Sequence, residues 1–225
     1  MPIPIPVLKR QARALSRAEG IPLHAALDRI AQDHGHADWP RLTARAIPAL
    51  AARIQPHLPR GSLGLIAARP GHGKTSVALS LAQRTAKAGR RAAVFSLDYG
   101  AAELRTRLDH FGSRASIETD TSDDICADYV IDRLGPDPTF AVIDYLQLLD
   151  QRRDQPPLAD QVAALHAYVR KTGATLLLIS QIDRRFDGSA GLPGQTDLRL
   201  PNPVDLSLID RAVYLHDGTL RIDAA

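Results

Sequence analysis

A glycine-containing run at residues 68–76 carries the residue types that can hold a polyphosphate. Gly71 and Gly73 allow backbone angles that other residues avoid, so consecutive amide N–H groups can turn inward around phosphate oxygens. Lys74 adds a positive charge for the outer phosphates, and the Thr75 hydroxyl can ligate a bridging magnesium ion. A chance Gly-Lys-Thr turn is the alternative. The predicted nucleotide contacts are Arg69, Pro70, Gly71, His72, Gly73, Lys74, Thr75 and Ser76.

The flanking sequence supplies the context that such a loop needs. Residues 62–67 form a short apolar run typical of a buried strand, and residues 76–87 repeat apolar side chains at helical spacing. A strand followed by a phosphate-binding turn and a helix is the arrangement in which the motif is meaningful. The first glycine of the general pattern is replaced by Ala68, while the part from Gly71 to Thr75 is intact.

Downstream of this helix, predicted strands and helices alternate, which is typical of an α/β fold with a mainly parallel sheet flanked by helices. We predict strands at 92–97, 139–144 and 174–180 and helices at 101–111, 123–134 and 158–171. Residues 182–206 form a long loop rich in Gly, Pro, Asp and Arg, of the kind that is usually functional or disordered. Residues 210–216 and 219–222 are predicted to form a closing hairpin, joined at Asp217-Gly218.

The strand at 139–144 ends in an acidic residue, Asp144. Carboxyl ends of parallel strands meet at one edge of a sheet, so Asp144 is expected opposite Thr75 in the shell of a bound magnesium ion. Thr75 and Asp144 are therefore the predicted metal ligands. The alternative is a simple polar end to a strand.

Before the phosphate loop, apolar residues recur at helical spacing in residues 8–15 and 23–31, and Gly20 and Gly35 end the two predicted helices. Asp38 can cap a third, short helix in which Trp39 and Leu42 close a three-helix cluster. We predict a small all-α module over residues 1–46 and a domain of the ATPase type over 61–225. Between them, residues 47–60 are predicted to be a linker because they contain three prolines, Pro48, Pro56 and Pro59.

Charge is distributed unevenly along the chain. Residues 1–60 hold nine Lys and Arg against four Asp and Glu, whereas the remainder holds 19 against 21. The basic segment suggests an acidic partner such as nucleic acid, read by a helix-turn-helix for example; a solvated helix face or a docking module is the alternative.

Cysteine content and the N-terminus bear on the compartment. One cysteine, Cys126, excludes an internal disulfide framework and fits a reducing compartment. The N-terminal residues alternate with prolines, so neither a signal peptide nor a membrane span is expected there. We expect a cytoplasmic protein without membrane contact.

Four segments occur in the order found in the motor domain of DnaB-type replicative helicases: residues 65–75, 95–98, 142–148 and 178–181. The run Asp-Tyr-Leu-Gln-Leu at 144–148 is far more discriminating than a phosphate loop alone. The chain thus resembles this family across most of residues 61–217. The resemblance implies a RecA-like P-loop fold, ATP and Mg²⁺ as cofactors, single-stranded DNA as partner and a role in DNA replication or related DNA metabolism. Assembly with copies of itself or with a helicase-related protein is also implied.

The resemblance also assigns individual residues. Asp98 stands where the family has a glutamate that activates the attacking water, and Gln181 matches the residue that senses the terminal phosphate. The implied catalytic set is Lys74, Asp98, Asp144 and Gln181. Arg184 and Arg185 stand where relatives contact single-stranded DNA, and Arg199 belongs to a family-like Asp-Leu-Arg tripeptide followed by Leu200 in place of glutamate.

Three departures from the family pattern define the competing interpretations. Asp98 is one methylene shorter than glutamate, so slower hydrolysis is expected. A basic hairpin that reaches the neighbouring subunit's nucleotide has no evident equivalent, since Arg221 is the only basic residue in 219–222. The N-terminal segment does not resemble the helical collar of those helicases. The alternatives to a motor are an ATP-sensing adaptor with weak or no hydrolysis and no unwinding, or an ATPase completed by a partner subunit.

Overall fold

The computed structural model describes residues 5–109, 111, 116–149, 152, 154–186, 188, 191–200 and 202–224. The helices in this part of the chain are α1 (Ile5–Glu19), α2 (Leu23–Asp33), α3 (Trp39–Ile54), α4 (Lys74–Lys87), α5 (Ala101–Asp109), α6 (Ala127–Leu134) and α7 (Leu158–Thr172). The strands are β1 (Leu63–Ala68), β2 (Ala92–Ser96), β3 (Glu118–Asp120), β4 (Phe140–Asp144), β5 (Thr175–Gln181), β6 (Arg211–His216) and β7 (Thr219–Ala224). None of these helices combines the length and apolar character that crossing a bilayer requires.

The strands form one sheet in the order β3-β2-β4-β5-β1-β6-β7. Every neighbouring pair is parallel except β6 and β7, which pair antiparallel. The predicted α/β fold with a mainly parallel sheet is confirmed. The order places β5 between the strand that leads into the phosphate loop and the strand that ends in Asp144.

Helices pack on both faces of the sheet, so the central strands β1 and β4 are buried along their whole length. Neighbouring side chains on a strand point to opposite faces, so Leu65 packs in one core and Ile66 in the other. The core on the Ile66 side contains buried residues of α3, α4 and α5, and the core on the Leu65 side contains those of α6 and α7. The phosphate-loop helix α4 is thus fixed between the sheet and α3.

The N-terminal helices pack as predicted around Leu8, Ala31 and Leu42, with Trp39 against them. Asp38 caps α3, its side chain accepting a hydrogen bond from the Arg41 amide at 2.8 Å. The sequence placed the first two helices correctly because each has an apolar stripe and a glycine that ends it.

The third helix is much longer than the short helix predicted, and the expected linker is wrong as a description of residues 47–57. Helix α3 continues through Pro48 to Ile54, and a 3-10 turn covers Gln55–His57. Ala51 and Ile54 are fully buried in the core beside α4. The free energy gained by burying these apolar side chains exceeds the free energy lost with the helical hydrogen bond that Pro48 cannot make. The division of the chain into domains stays a prediction.

Smaller differences concern short or polar segments. Helix α6 begins at Ala127 instead of residue 123, and the three-residue strand β3 was not predicted because Glu-Thr-Asp has no apolar pattern. In the long loop, Ile182 and Leu198 form an antiparallel bridge. The closing hairpin is confirmed, with positive φ at Asp217 (47°) and Gly218 (74°), as a tight turn of this type requires.

Replacing Ile54 with alanine tests whether α3 is part of the core. Because the side chain is fully buried, Ile54→Ala is expected to lower the free energy of unfolding by about 3 kcal/mol. Chemical denaturation measures it. The neighbouring exposed position gives the control, since Arg53→Ala is expected to change stability by less than about 0.5 kcal/mol. Equal stabilities of the two variants would mean that this segment is a loose linker after all.

Candidate active site

The phosphate loop joins β1 to α4 and has the shape that its glycines predict. Gly71 and Gly73 have φ of 81° and 85°, which disfavours any side chain at either position. Gly73 is also the N-cap of α4. The first amide groups of a helix have no partner within it and carry the positive end of the helix dipole, so this end of α4 suits an anion.

The other predicted catalytic residues reach the same edge of the sheet through strand register. Asp144 lies opposite Ser96 on β2 and opposite Ile179 on β5, while Gln181 at the end of β5 lies opposite Ala68. The residues that end these four parallel strands are Ala68, Ser96, Asp144 and Gln181. The sheet thus gathers Asp144, Gln181 and the phosphate loop at the edge where ligands bind in open α/β folds.

Asp144 is only 3% exposed, and neither carboxylate oxygen has a hydrogen-bond partner of ordinary geometry among the described residues. Burial raises the pKa of Asp144 to about 6, against the opposing effects of the Thr75 hydroxyl and the Lys74 ammonium group. A buried carboxylate with two free oxygens beside a hydroxyl is a donor set that suits a hard divalent cation. Thr75 and Asp144 therefore fit the predicted magnesium site.

Lys74 and Asp98 complete the charged part of the site. Burial lowers the pKa of Lys74, while the negative charges of Asp144 and Asp98 act to raise it. Asp98 itself is exposed, directly after β2, and its amide donates to the Ser96 hydroxyl at 3.3 Å. The structure brings Lys74, Thr75, Asp98 and Asp144 into one electrostatic cluster, with Asp98 on its solvent side.

Tyr99 and Arg107 belong to this cluster but were not predicted. The Tyr99 hydroxyl interacts with Thr75, and the Arg107 guanidinium lies 4.2 Å from the centre of the Tyr99 ring. Burial raises the pKa of Tyr99, and Arg107 opposes that shift. The available sequence signal was the position of Tyr99, next to Asp98 at the carboxyl end of a strand.

Gln181 is linked to the following loop through Arg199. The Arg199 amide donates to the Gln181 carbonyl at 2.8 Å, and Arg199 Nη1 donates to Gln181 Oε1 at 3.4 Å. Gln147, in the turn after Asp144, donates to the Ser180 hydroxyl and to the Arg199 carbonyl, both at 2.7 Å. This network connects the end of β5 with the turn after β4. In the sequence, Gln147 is noticeable only as part of the run at 144–148. Its contacts with Ser180 and Arg199 depend on tertiary structure.

Arg184 and Arg185 follow β5 in an exposed turn. The Asp183 carboxylate accepts the Arg185 amide at 2.8 Å, and the Arg185 side chain is 95% exposed. The structure thus places both arginines beyond Gln181, on the surface and at the same edge of the sheet.

His72 turns its side chain toward the β6–β7 hairpin. Its ring stacks on His216 with centroids 5.2 Å apart, and the Asp217 amide donates to His72 Nδ1 at 3.4 Å. Burial lowers the pKa of His72 to about 4, against the raising effect of the Asp217 carboxylate. His72 is therefore neutral at neutral pH, and its backbone, not its ring, is what it offers to an anion in the loop.

Asp144 makes a testable contribution to stability without ligands. Its pKa is higher in the folded protein than its ordinary value of 3.8, so its protonated form favours folding and stability falls as the pH rises from about 4 to 6. Asp144→Asn removes this cost and is expected to raise the free energy of unfolding by about 3 kcal/mol at pH 7.5. Denaturation with a chelator present, from pH 7.5 down to 4.5, measures the gain, which should shrink as the pH falls.

Asp132→Asn on α6 serves as the control for that experiment, because the side chain is exposed and the change should have little effect at any pH. Using the difference between the wild-type protein and Asp144→Asn also cancels the opposite pH dependence that His72 contributes. If Asp144→Asn were less stable than the wild-type protein at pH 7.5, the conclusion that burying the charged Asp144 carboxylate destabilises the fold would be wrong.

Comparison with known proteins identifies the family of this chain. The model of a family described as "AAA domain" matches residues 31–191, more than half of the chain. No curated protein matches the sequence. Among solved structures, a DnaB-like replicative helicase studied for its interactions with primase superposes with a TM-score of 0.56 at 21% identity. The ATPase domain of G40P superposes with a TM-score of 0.56 at 20% identity.

The matches differ in how much of each protein they include. The helicase match covers 69% of this chain but only 47% of the helicase, so the chain spans about half of that protein's length. The G40P match covers 70% of both chains. At these identities the superpositions establish the fold, which is the RecA-like fold of DnaB-type motor domains. With the family match over residues 31–191, the chain belongs to the AAA domain family.

Proposed function

We propose that this protein binds and hydrolyses ATP with Mg²⁺ and couples that reaction to single-stranded DNA, in replication or related DNA metabolism. The observation that carries the proposal is the buried carboxylate of Asp144 beside Thr75, Lys74 and the glycine loop, which has no hydrogen-bond partner of ordinary geometry in the part of the chain that the structure describes. A cytoplasmic location and assembly with copies of itself or with a helicase-related protein accompany this proposal.

Each residue at the site has a distinct task in this reaction. The loop amides and Lys74 hold the phosphates. Gln181 contacts the terminal phosphate, and its hydrogen bond with Arg199 makes the position of Arg199 depend on whether that phosphate is present. Bound Mg²⁺, held by Thr75 and Asp144, would neutralise charge on the outer phosphates. Asp98 orients the attacking water, for which an exposed carboxylate at the edge of the site is suitable.

The alternative is an ATP-binding adaptor with little turnover. Two observations favour it: Asp98 is one methylene shorter than glutamate, and Arg221 already has partners within its own chain. Arg221 pairs with Asp223 at 2.9 Å and lies 5.2 Å from the centre of the Tyr214 ring. An arginine held in this way is a poor candidate for reaching a neighbouring nucleotide, and such arginines contribute about 10³-fold or more in well-studied phosphoryl transfers.

Lys74→Ala is expected to weaken ATP binding strongly, because it removes the ammonium charge that the loop offers to the outer phosphates. Phosphate release should be stimulated by single-stranded DNA in the wild-type protein and abolished in the variant. Calorimetry with MgATP and a coupled phosphate assay measure both. ATP binding without turnover, with and without DNA, would favour the adaptor; turnover that appears only after a full-length helicase is added would favour an ATPase completed by a partner.

Asp98→Glu tests the role of the carboxylate directly. A side chain longer by one methylene brings the carboxylate closer to the attacking water, so the rate of phosphate release should rise by about tenfold. The same change at an exposed position on α5, Asp109→Glu, is the matched control and should leave the rate unchanged. A rate that does not respond to glutamate at position 98 would remove Asp98 from the catalytic set.

The DNA proposal depends on two exposed arginines beyond Gln181. Replacing both, Arg184→Ala with Arg185→Ala, should weaken single-stranded DNA binding and reduce the slope of log affinity against log salt by about 1.4, the value for two phosphate contacts. Fluorescence anisotropy over a salt series measures this slope. Arg105→Ala, at an exposed arginine on α5, should leave the slope unaltered. Equal slopes for all proteins would place the DNA contact elsewhere.

A further inference from the structure

Two histidines and an aspartate from distant parts of the sequence meet beside the phosphate loop. His72 lies within the loop, His216 ends β6, and Asp217 begins the β6–β7 turn. Strands β1 and β6 are parallel neighbours with Ala68 opposite Leu215, so the segments that follow them emerge together. One ligand-type atom from each of the three side chains lies within 4.8 Å of the others.

The distances between these atoms are close to those around a bound ion. His72 Nδ1 lies 3.7 Å from Asp217 Oδ1, and His216 Nε2 lies 4.0 Å from Asp217 Oδ2. Around a tetrahedral zinc ion with bonds of about 2.1 Å, neighbouring ligand atoms are about 3.4 Å apart. Small side-chain rotations would therefore bring the three atoms to a common ion.

The cluster is largely buried and not fully satisfied. The exposed fractions of the His72, His216 and Asp217 side chains are 16%, 15% and 21%. Asp217 Oδ1 and His216 Nδ1 are buried without a hydrogen-bond partner among the described residues. Because a carboxylate oxygen in such a place loses hydration without replacement, a cation at the cluster would compensate for that loss.

Gly188 keeps one side of the cluster clear. Its φ is 86°, and a Cβ atom at this position would stand 2.5 Å from His216 Nε2. Any other residue would therefore fill the space next to that nitrogen. The absence of a side chain at Gly188 leaves this space next to Nε2 unfilled.

A competing cation already contacts the cluster. The guanidinium group of Arg10, on α1, pairs with Asp217 Oδ2. The Arg10 side chain is 59% exposed, so this ion pair contributes little to stability and can be exchanged. The pairing shows that the carboxylate attracts positive charge in the folded protein.

We propose that His72, His216 and Asp217 form a binding site for a divalent transition metal of the zinc type. Two imidazoles and one carboxylate are a ligand set that zinc uses in three-ligand sites, with water in the fourth position. Magnesium prefers oxygen ligands, so this site differs in chemistry from Thr75 and Asp144. The ion would tie the phosphate loop to the hairpin turn and release Arg10 from Asp217.

Zinc binding by the nucleotide-free, full chain tests the proposal without reference to ATPase activity. Calorimetric titration with zinc chloride in a phosphate-free buffer is expected to show one saturable site. His216→Ala should weaken it by at least about tenfold, since even indirect partners of a metal site contribute that much. His24→Ala, at an exposed histidine on α2, is the control and should bind zinc as the wild-type protein does.

Two further variants separate metal binding from folding. Asparagine tolerates the positive φ of Asp217, so Asp217→Asn should keep the turn and its melting temperature while losing zinc affinity. Arg10→Ala removes the competing cation and should increase the affinity several-fold. The proposal is overturned if the wild-type protein takes up no zinc, or if His216→Ala and Asp217→Asn bind it as tightly as the wild-type protein, as adventitious binding to surface histidines would predict.

Discussion

The site is built around one unfavourable arrangement: the carboxylate of Asp144 is buried at the end of β4 without a hydrogen-bond donor of ordinary geometry among the described residues. Removing a charge from water without pairing it costs free energy, and here the cost appears as a raised pKa. Lys74 and Thr75 are close enough to favour the charge but not to satisfy both oxygens. The folded protein therefore keeps a place in which a divalent cation and phosphate oxygens would be stabilising.

The rest of the molecule holds that arrangement in position. Helix α3 packs on α4, and the segment after α3 lies so close to β1 that a Cβ atom at Gly64 would stand 2.7 Å from the Leu58 side chain. The hairpin holds the phosphate loop from the other side through His72 and His216. Arg10 extends this contact to α1 through Asp217. The N-terminal helices are therefore in contact with the elements that carry the phosphate loop.

Two sets of contacts lead away from the proposed nucleotide site. One runs from Gln181 to Arg199 and Gln147, which connects the ends of β5 and β4 with the loop that precedes Arg199. The other runs from Thr75 to Tyr99 and Arg107 on α5. Both begin at residues proposed to contact phosphate or magnesium, so under the proposed function each would link ligand binding to the surface.

The sequence by itself determined the phosphate loop, the strand that ends in Asp144, the parallel α/β class and the Asp217-Gly218 hairpin, because each depends on local backbone preference or on apolar periodicity. Tertiary structure alone decided the length of α3, since the free energy gained by burying Ala51 and Ile54 exceeds the cost of Pro48 inside the helix. It also decided the contacts of Tyr99, Gln147 and the His72–His216–Asp217 cluster. The residues that make these contacts are far apart in the sequence, and the register of the strands brings them together.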